Sequence, residues 1–135
     1  MSVSDELQRF VFETLTSDPA VTALIGDRVR DLPPADVAAP CITFGPSDFV
    51  DERLECLDAT EETLQLDIWS EAQDGFRECK LILAAARKAL DGASGPLGMH
   101  ALVRLRVESG RSFRDPDGIS THGILMLVAD LEAAS

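Results

Sequence analysis

The sequence lacks any long uninterrupted apolar run. No stretch approaches the roughly 18 residues that a membrane-spanning helix requires, so we expect no membrane span. Cysteine is also scarce: there are three residues, Cys41, Cys56 and Cys79, and no CxxC pair. An odd count without such a pair favours free thiols and folding in the cytosol. The acidic, polar N-terminus does not resemble a secretory signal.

Positive charge is the next shortage, with 12 basic residues against 24 acidic ones and a net charge of −12. Such a surface repels a phosphate backbone, which argues against a protein that grips DNA or RNA. The same charge is compatible with a protein that surrounds DNA without holding it. Ten of the basic residues are arginine, and arginine is favoured at protein interfaces.

Motifs for catalysis, metal binding or cofactor binding are missing. His100 and His122 have no Cys or His within four residues, as a zinc site would require, and we expect surface or strand-end histidines. The glycine-rich segment 92–98 has no following Gly-Lys-Ser/Thr, and Ser94 within it is not on a nucleophile elbow. The Asp115–Gly118 segment matches a type I turn better than a calcium loop. We therefore expect no catalytic, metal-binding or cofactor-binding residue.

What is present is a strand followed by a helix over residues 60–90. Leu64, Leu66 and Ile68 alternate with polar residues, which predicts a strand with one buried face. Apolar residues then recur at helical spacing, with Ser70 as the expected N-cap and Gly92 as the C-terminal stop. The apolar helical positions are Phe76, Cys79, Leu83, Ala86 and Leu90.

Patterns elsewhere complete the order of elements. Helices are predicted at 4–16 and 18–26, short strands at 29–32 and 41–44, and longer strands at 99–112 and 122–131. Gly45-Pro46 is expected to break the second strand. The last strand is apolar on both sides, so helices or a neighbouring subunit should cover both faces. The order predicts one α+β domain over residues 1–135, with a mainly antiparallel (mixed) β-sheet and helices packed on one face.

Five residues form a candidate subunit or partner interface. Trp69 should lie opposite the buried face of its strand, and two arginines should project from the polar side of another strand. If these faces coincide, they present tryptophan and arginine together, the residues most enriched in interface hot spots. The alternative is a surface tryptophan shielded by arginine stems. The candidate residues are Gln65, Asp67, Trp69, Arg104 and Arg106.

Acidic residues concentrate between Asp48 and Asp67, where Arg53 is the sole basic residue. No clear period runs through this stretch, which could be an extended mobile loop or a ragged pair of strands. Its role could be a channel-lining or docking segment, or simply a solvated face. The candidate residues for an acidic channel or docking loop are Asp48, Asp51, Glu52, Glu55 and Asp58.

Four segments at these spacings resemble a known family. They are L-x-x-x-V-F-E-T-L-T-x-D-P-A-V-T-A-L-I-G-D-R-V at 7–29, A-P-C-I-T-F-G at 39–45, T-L-Q-L-D-I-W-S at 63–70 and F-R-D-P-D-G-I-S-T-H-G at 113–123. The chain resembles the tail-completion or tail-terminator proteins of long-tailed phages and bacterial gene transfer agents over nearly its whole length.

This resemblance implies a virion structural protein without catalytic residues, made in the bacterial cytoplasm. Such proteins cap the head-proximal end of the tail tube, usually as a hexameric ring. They end tube polymerisation and join the tube to the stopper protein of the head connector, while DNA passes through without sequence-specific binding. Two alternatives remain open: another neck component, such as a stopper or an adaptor, or a small hydrolase or ligand-binding domain using carboxylates near Asp67 with His122.

Overall fold

A computed structural model of the protein describes residues 2–52, 58–73 and 76–133. Within these ranges, three α-helices and six β-strands form the α+β fold that the sequence predicts; five of the strands were expected, and the two-residue strand Gly95–Pro96 was not. The elements are α1 Val3–Ser17, α2 Pro19–Ile25, β1 Val29–Arg30, a 3-10 turn Pro34–Asp36, β2 Cys41–Asp51, β3 Ala59–Ser70, α3 Arg77–Leu90, β4 Gly95–Pro96, β5 His100–Arg114 and β6 Thr121–Ala133.

The strands form one mixed sheet in the order β1-β2-β3-β6-β5-β4. Among these six strands, only the β1–β2 pair is parallel. The β5–β6 hairpin places β6 at the centre, where it pairs with β3 along its whole length. The predicted turn closes this hairpin, since the Gly118 N–H donates to the Asp115 carbonyl at 3.0 Å.

The two faces of the sheet differ in what covers them. Helices α1 and α3 pack on one side, here called the helix face, and their apolar residues form a single core with those of the strands. Its strand residues include Leu64, Leu66, Ile68, Leu125, Leu127 and Leu131. The other side, here called the open face, carries Glu61, Thr63, Gln65, Asp67 and Trp69 of β3, His122, Ile124, Met126, Val128 and Asp130 of β6, and Arg104, Arg106, Arg111 and Phe113 of β5.

Helix α3 begins later than the sequence suggests. Its first residue is Arg77, and Phe76 occupies the N-cap position without a side-chain hydrogen bond. The prediction of Ser70 as N-cap is wrong, because Ser70 still pairs with Thr121 as the last residue of β3. Its hydroxyl instead donates to Glu78 Oε1 at 2.7 Å and so ties the strand to the first turn of the helix.

Gly45-Pro46 does not end β2, contrary to the prediction. The strand continues to Asp51, and a register shift between Phe44 and Ser47 absorbs the two residues as a bulge. A Cβ at Gly45 would come within 2.5 Å of Asp67 Oδ2 and 3.2 Å of the Gln65 carbonyl oxygen, so a larger residue here would displace the Asp67 side chain and crowd β3.

Strand β5 contains two further register shifts, and the first one alters its predicted alternation. Leu102 and Leu105 are 2% and 0% exposed, whereas Val103 between them is 48% exposed. The sequence alternates so that Val103, Leu105 and Val107 are expected on one buried face; this expectation is wrong for Val103, because a bulge changes the period-two count. Among the described residues, no helix combines the length and apolar content needed to cross a membrane.

Candidate functional site

The five predicted interface residues lie on one face, the open face. Gln65, Asp67 and Trp69 lie on β3, and the two arginines lie on β5. Strand β6 separates them, since Arg104 is opposite Asp130 and Arg106 is opposite Val128. The five residues therefore form two groups, with Trp69 at one end of the sheet and the arginines towards the other.

Trp69 is the centre of the first group. Its ring stacks on His122 with centroids 4.0 Å apart and an interplanar angle of 15°. The Phe113 ring also contacts His122, with centroids 4.8 Å apart. The Trp69 Nε1–H donates to Thr43 Oγ1 at 3.1 Å, so the indole bridges β2 and β6. The ring is half-buried within its own chain and is not a freely exposed surface tryptophan.

Asp67 connects the same group through hydrogen bonds. Its Oδ1 lies 2.7 Å from His122 Nε2 and accepts a hydrogen bond from Gln65 Nε2 at 2.9 Å. The side chains of Asp67 and His122 are only 12% and 14% exposed. The sequence analysis named Asp67 and His122 together, and their side chains are indeed in contact. Stacking and hydrogen bonds hold them in a polar and aromatic cluster.

The second group joins one arginine to a set of carboxylates. Arg106 Nη2 lies 3.8 Å from Glu61 Oε2. Carboxylate oxygens of Glu52, Glu61 and Asp130 come within 4.8 Å of one another, a spacing at which a cation could bind. Arg106 already supplies positive charge to this cluster.

The candidate acidic segment consists partly of strand. Asp48 and Asp51 lie on β2, Glu52 follows it, and Asp58 directly precedes β3. The sequence left open a mobile loop or a pair of strands, and strands are present at both ends of the segment. Glu55 lies outside the described residues. The end of β2 also exposes two large apolar side chains, Phe49 at 63% and Val50 at 59%.

A second carboxylate–histidine pair lies on the helix side and was not predicted. Glu6 of α1 is 2% exposed, contacts His100 Nδ1 and accepts from the Met99 N–H at 2.5 Å. Burial alone would raise the pKa of Glu6, but the hydrogen bonds from His100 and Met99 outweigh it and lower the pKa. His100 starts β5, as expected of a strand-end histidine. The two partners are 94 positions apart, so no local pattern could reveal the pair.

The two buried thiols are poorly suited to nucleophilic catalysis. Burial raises the pKa of the Cys79 thiol to about 11, and burial also raises the pKa of Cys41. Glu62 is 2% exposed; Ser4 Oγ donates to its Oε2 at 2.8 Å, while Oε1 has no partner among the described residues. Burial raises the pKa of Glu62 in spite of the Ser4 bond, and the nearby Asp48 adds to the rise.

Comparison with known proteins agrees with this fold. The sequence pattern of the family described as tail completion protein gp17 matches residues 9–129. The chain belongs to this family. A solved chain described as part of the virion of a native gene transfer agent (GTA) particle has the same fold, with a TM-score of 0.88 and 27% sequence identity over 98% of both chains. No curated protein matches the sequence.

These findings confirm the resemblance and the α+β fold predicted from the sequence. Membership of the tail completion family makes the chain a structural protein and not an enzyme. The hydrolase hypothesis around Asp67 and His122 is therefore wrong, and their close contact has a structural explanation in the stacked cluster on the open face.

Proposed function

We propose that the chain caps the head-proximal end of a tail tube as a ring of identical copies. In the neck of a phage or GTA particle, this ring ends tube polymerisation and joins the tail to the stopper protein of the head connector. The observation that carries the proposal is the match to a chain of a GTA virion over 98% of its length, together with membership of the tail completion family. A hexamer is the stoichiometry that the family resemblance implies.

The charge of the chain supports the passage of DNA through such a ring. A net charge of −12 on each copy repels the DNA backbone and disfavours tight binding. DNA that must leave the particle quickly needs a channel that does not hold it. We therefore expect no sequence-specific contact between the ring and the DNA.

Electron microscopy of particles made without this gene tests the proposal. A terminator is needed to end the tube, so its loss should give tubes of abnormal length that carry no heads. Loss of a stopper or an adaptor should leave tails of normal length that fail to join heads. Finished particles with tails of normal length, made without the chain, would contradict any role in the neck, whether terminator, stopper or adaptor.

Substitution of Arg104 tests the role of the open face in assembly. Arg104 is exposed and makes no ion pair within the described residues, so Arg104→Glu should leave folding intact. We expect several-fold fewer copies in purified particles, measured by quantitative mass spectrometry. Arg9→Glu on α1, whose side chain is 61% exposed, is the matched control and should be incorporated normally. Equal incorporation of both variants would show that Arg104 does not contribute to an assembly interface.

A further inference from the structure

Two long strands of the sheet have outer edges that are only partly paired. β1 pairs with β2 only at Ile42 and Thr43, and β4 pairs with β5 only at Ala101 and Leu102. Beyond β4, Leu105 exchanges backbone hydrogen bonds with residues 92 and 93, and Asp91 accepts from the Val107 N–H. The edges without a strand partner in the described structure are residues 47–51, here called the β2 edge, and residues 108–114, here called the β5 edge.

An unpaired edge is a template for another strand, and charge decides which strand it accepts. The β2 edge carries Asp48 and Asp51 and no basic residue. The β5 edge carries Arg111 and Arg114 against Glu108, and Arg104 and Arg106 precede it on the same strand. Two β2 edges therefore repel each other, as do two β5 edges, whereas unlike edges attract. This pattern favours a head-to-tail contact between identical copies.

A groove lies beside the β5 edge on the helix face, between α3 and β5. Its volume is about 330 Å³, and its lining includes Leu83, Val107, Leu125, Arg87 and Gly110. Gly110 contributes no side chain to fill it; a Cβ there would already contact Leu125 Cδ1 at 3.5 Å. The groove therefore offers an apolar surface bordered by one arginine, Arg87, and one carboxylate, Glu108.

Phe49 on the β2 edge is complementary to this groove. It pairs across the sheet with Glu62, which belongs to the helix face, and it is 63% exposed. In a sheet that continues from one copy to the next, Phe49 would point to the same side as the groove. An aromatic ring opposite a strand glycine is a favourable cross-strand arrangement.

The directions of the two strands fit such a continuation. β2 and β5 run in opposite directions within one copy, because three successive antiparallel pairings connect them. Copies related by rotation would therefore join β2 to β5 as an antiparallel pair. This is the pairing that most of the sheet already uses.

The offset between the edges fits a closed ring. Following the register across β3 and β6, Phe49 is level with Leu105, and Gly110 lies five residues further along β5. Because a bulge absorbs one of these five residues, the displacement equals four positions on β6, from Ala129 to Leu125, or about 13 Å, against about 19 Å for four strand spacings across the sheet. The resulting slope of about 35° lies at the lower end of the tilt of roughly 35–45° that strands adopt in closed barrels.

We propose that the β2 edge of one copy adds as a strand to the β5 edge of a second copy, with Phe49 opposite Gly110 in the groove and Asp48 opposite Arg111. Val50 would then lie opposite Ser109. Asp51 would lie opposite Glu108, where Arg87 of the groove offsets the like charges. This contact rests on the proposed ring and identifies the surfaces that close it.

Disulfide trapping in assembled particles tests the contact. In a Cys56→Ser background, Val50→Cys and Ser109→Cys are introduced together, and purified particles are mildly oxidised before non-reducing electrophoresis. The double variant should give a series of covalent multimers, at least several-fold more than either single variant, because each copy then carries both halves of the contact. Buried Cys41 and Cys79 should contribute little background.

The controls separate this proposal from the ring itself. If microscopy shows a ring of this chain but the double variant forms no multimers, the edge contact is wrong and the ring stands. Dimers from one single variant would show contact between like edges and would also overturn it. Absence of any ring in the neck would instead refute the proposed function.

A charge exchange provides an independent test should the cysteine variant fail to fold. Asp48→Arg and Arg111→Asp should each reduce incorporation into particles by about tenfold, and their combination should restore it, because opposed like charges become a complementary pair again. Circular dichroism checks that each purified variant is folded. A combination no better than the single variants would contradict the pairing of Asp48 with Arg111.

Discussion

The two faces of the central strand β6 differ although their residues alternate along one chain segment. Leu125, Leu127 and Leu131 face the helices and are at most 2% exposed. Ile124 and Met126, their neighbours in sequence, lie on the open face and remain half-buried without a helix over them. The helix face therefore determines the stability of the single chain, while the open face and the sheet edges remain available for contacts between copies.

The two carboxylate–histidine pairs repeat this contrast. Glu6 and His100 connect α1 to the start of β5 on the covered side. Asp67 and His122 lie beside aromatic rings on the open face. One carboxylate–histidine contact thus holds α1 against the start of β5, and the other holds neighbouring side chains together on the open face.

The largest expected effect comes from truncating neighbouring residues on opposite faces. Leu127→Ala leaves a cavity in the core and should lower the free energy of unfolding by about 2–5 kcal/mol. Met126→Ala on the open face should lower it by about 1 kcal/mol. Urea unfolding, monitored by circular dichroism, measures the free energy of unfolding of both variants. Equal decreases would show that the two faces contribute equally to stability.

A smaller difference is expected between two glycines of the hairpin. A Cβ at Gly123 would come within 2.7 Å of Cys79 Sγ and 3.2 Å of Ile68 Cβ, under α3. Gly123→Ala should therefore destabilise the fold by about 1–3 kcal/mol through overpacking. Gly110 faces the groove, so Gly110→Ala should change stability much less than Gly123→Ala. Thermal unfolding of both variants measures this difference. A loss of stability in Gly110→Ala as large as that in Gly123→Ala would show that the groove has no room for a Cβ.

The smallest effect concerns two adjacent glutamates and depends on pH. Because burial raises the pKa of Glu62, its charged form costs stability as the pH rises above its ordinary value of 4.5. Glu62→Gln should therefore raise Tm at pH 7, with a smaller gain near pH 4. Glu61→Gln on the open face is the control and should give no gain. A lower Tm for Glu62→Gln at pH 7 would show that the Ser4 hydrogen bond outweighs burial.

The local errors of the sequence prediction have one physical origin. Ser70 is a good N-cap by residue type, but pairing with Thr121 keeps it in β3. Gly45-Pro46 reads as a strand breaker, yet pairing with β3 on both sides of the bulge carries β2 on to Asp51. In each case a contact with a distant strand outweighs the local preference. Local alternation places Gln65, Asp67 and Trp69 on one side of β3 and the two arginines on one side of β5, but the two sides form one face only because both strands pair with β6.

The sequence alone predicted the apolar face of β3 and, in Cys79, Ala86 and Leu90, most of the buried face of α3, because period-two and helical spacing follow from backbone geometry; it missed the buried Ile82. It also determined the family, through short segments at fixed spacings, and the absence of a membrane-length apolar run. Only the tertiary structure decided that β6 lies between β3 and β5, that His122 stacks on Trp69 and that Glu6 meets His100. These contacts join residues up to 94 positions apart, and they depend on strand order and bulges, which no local pattern encodes.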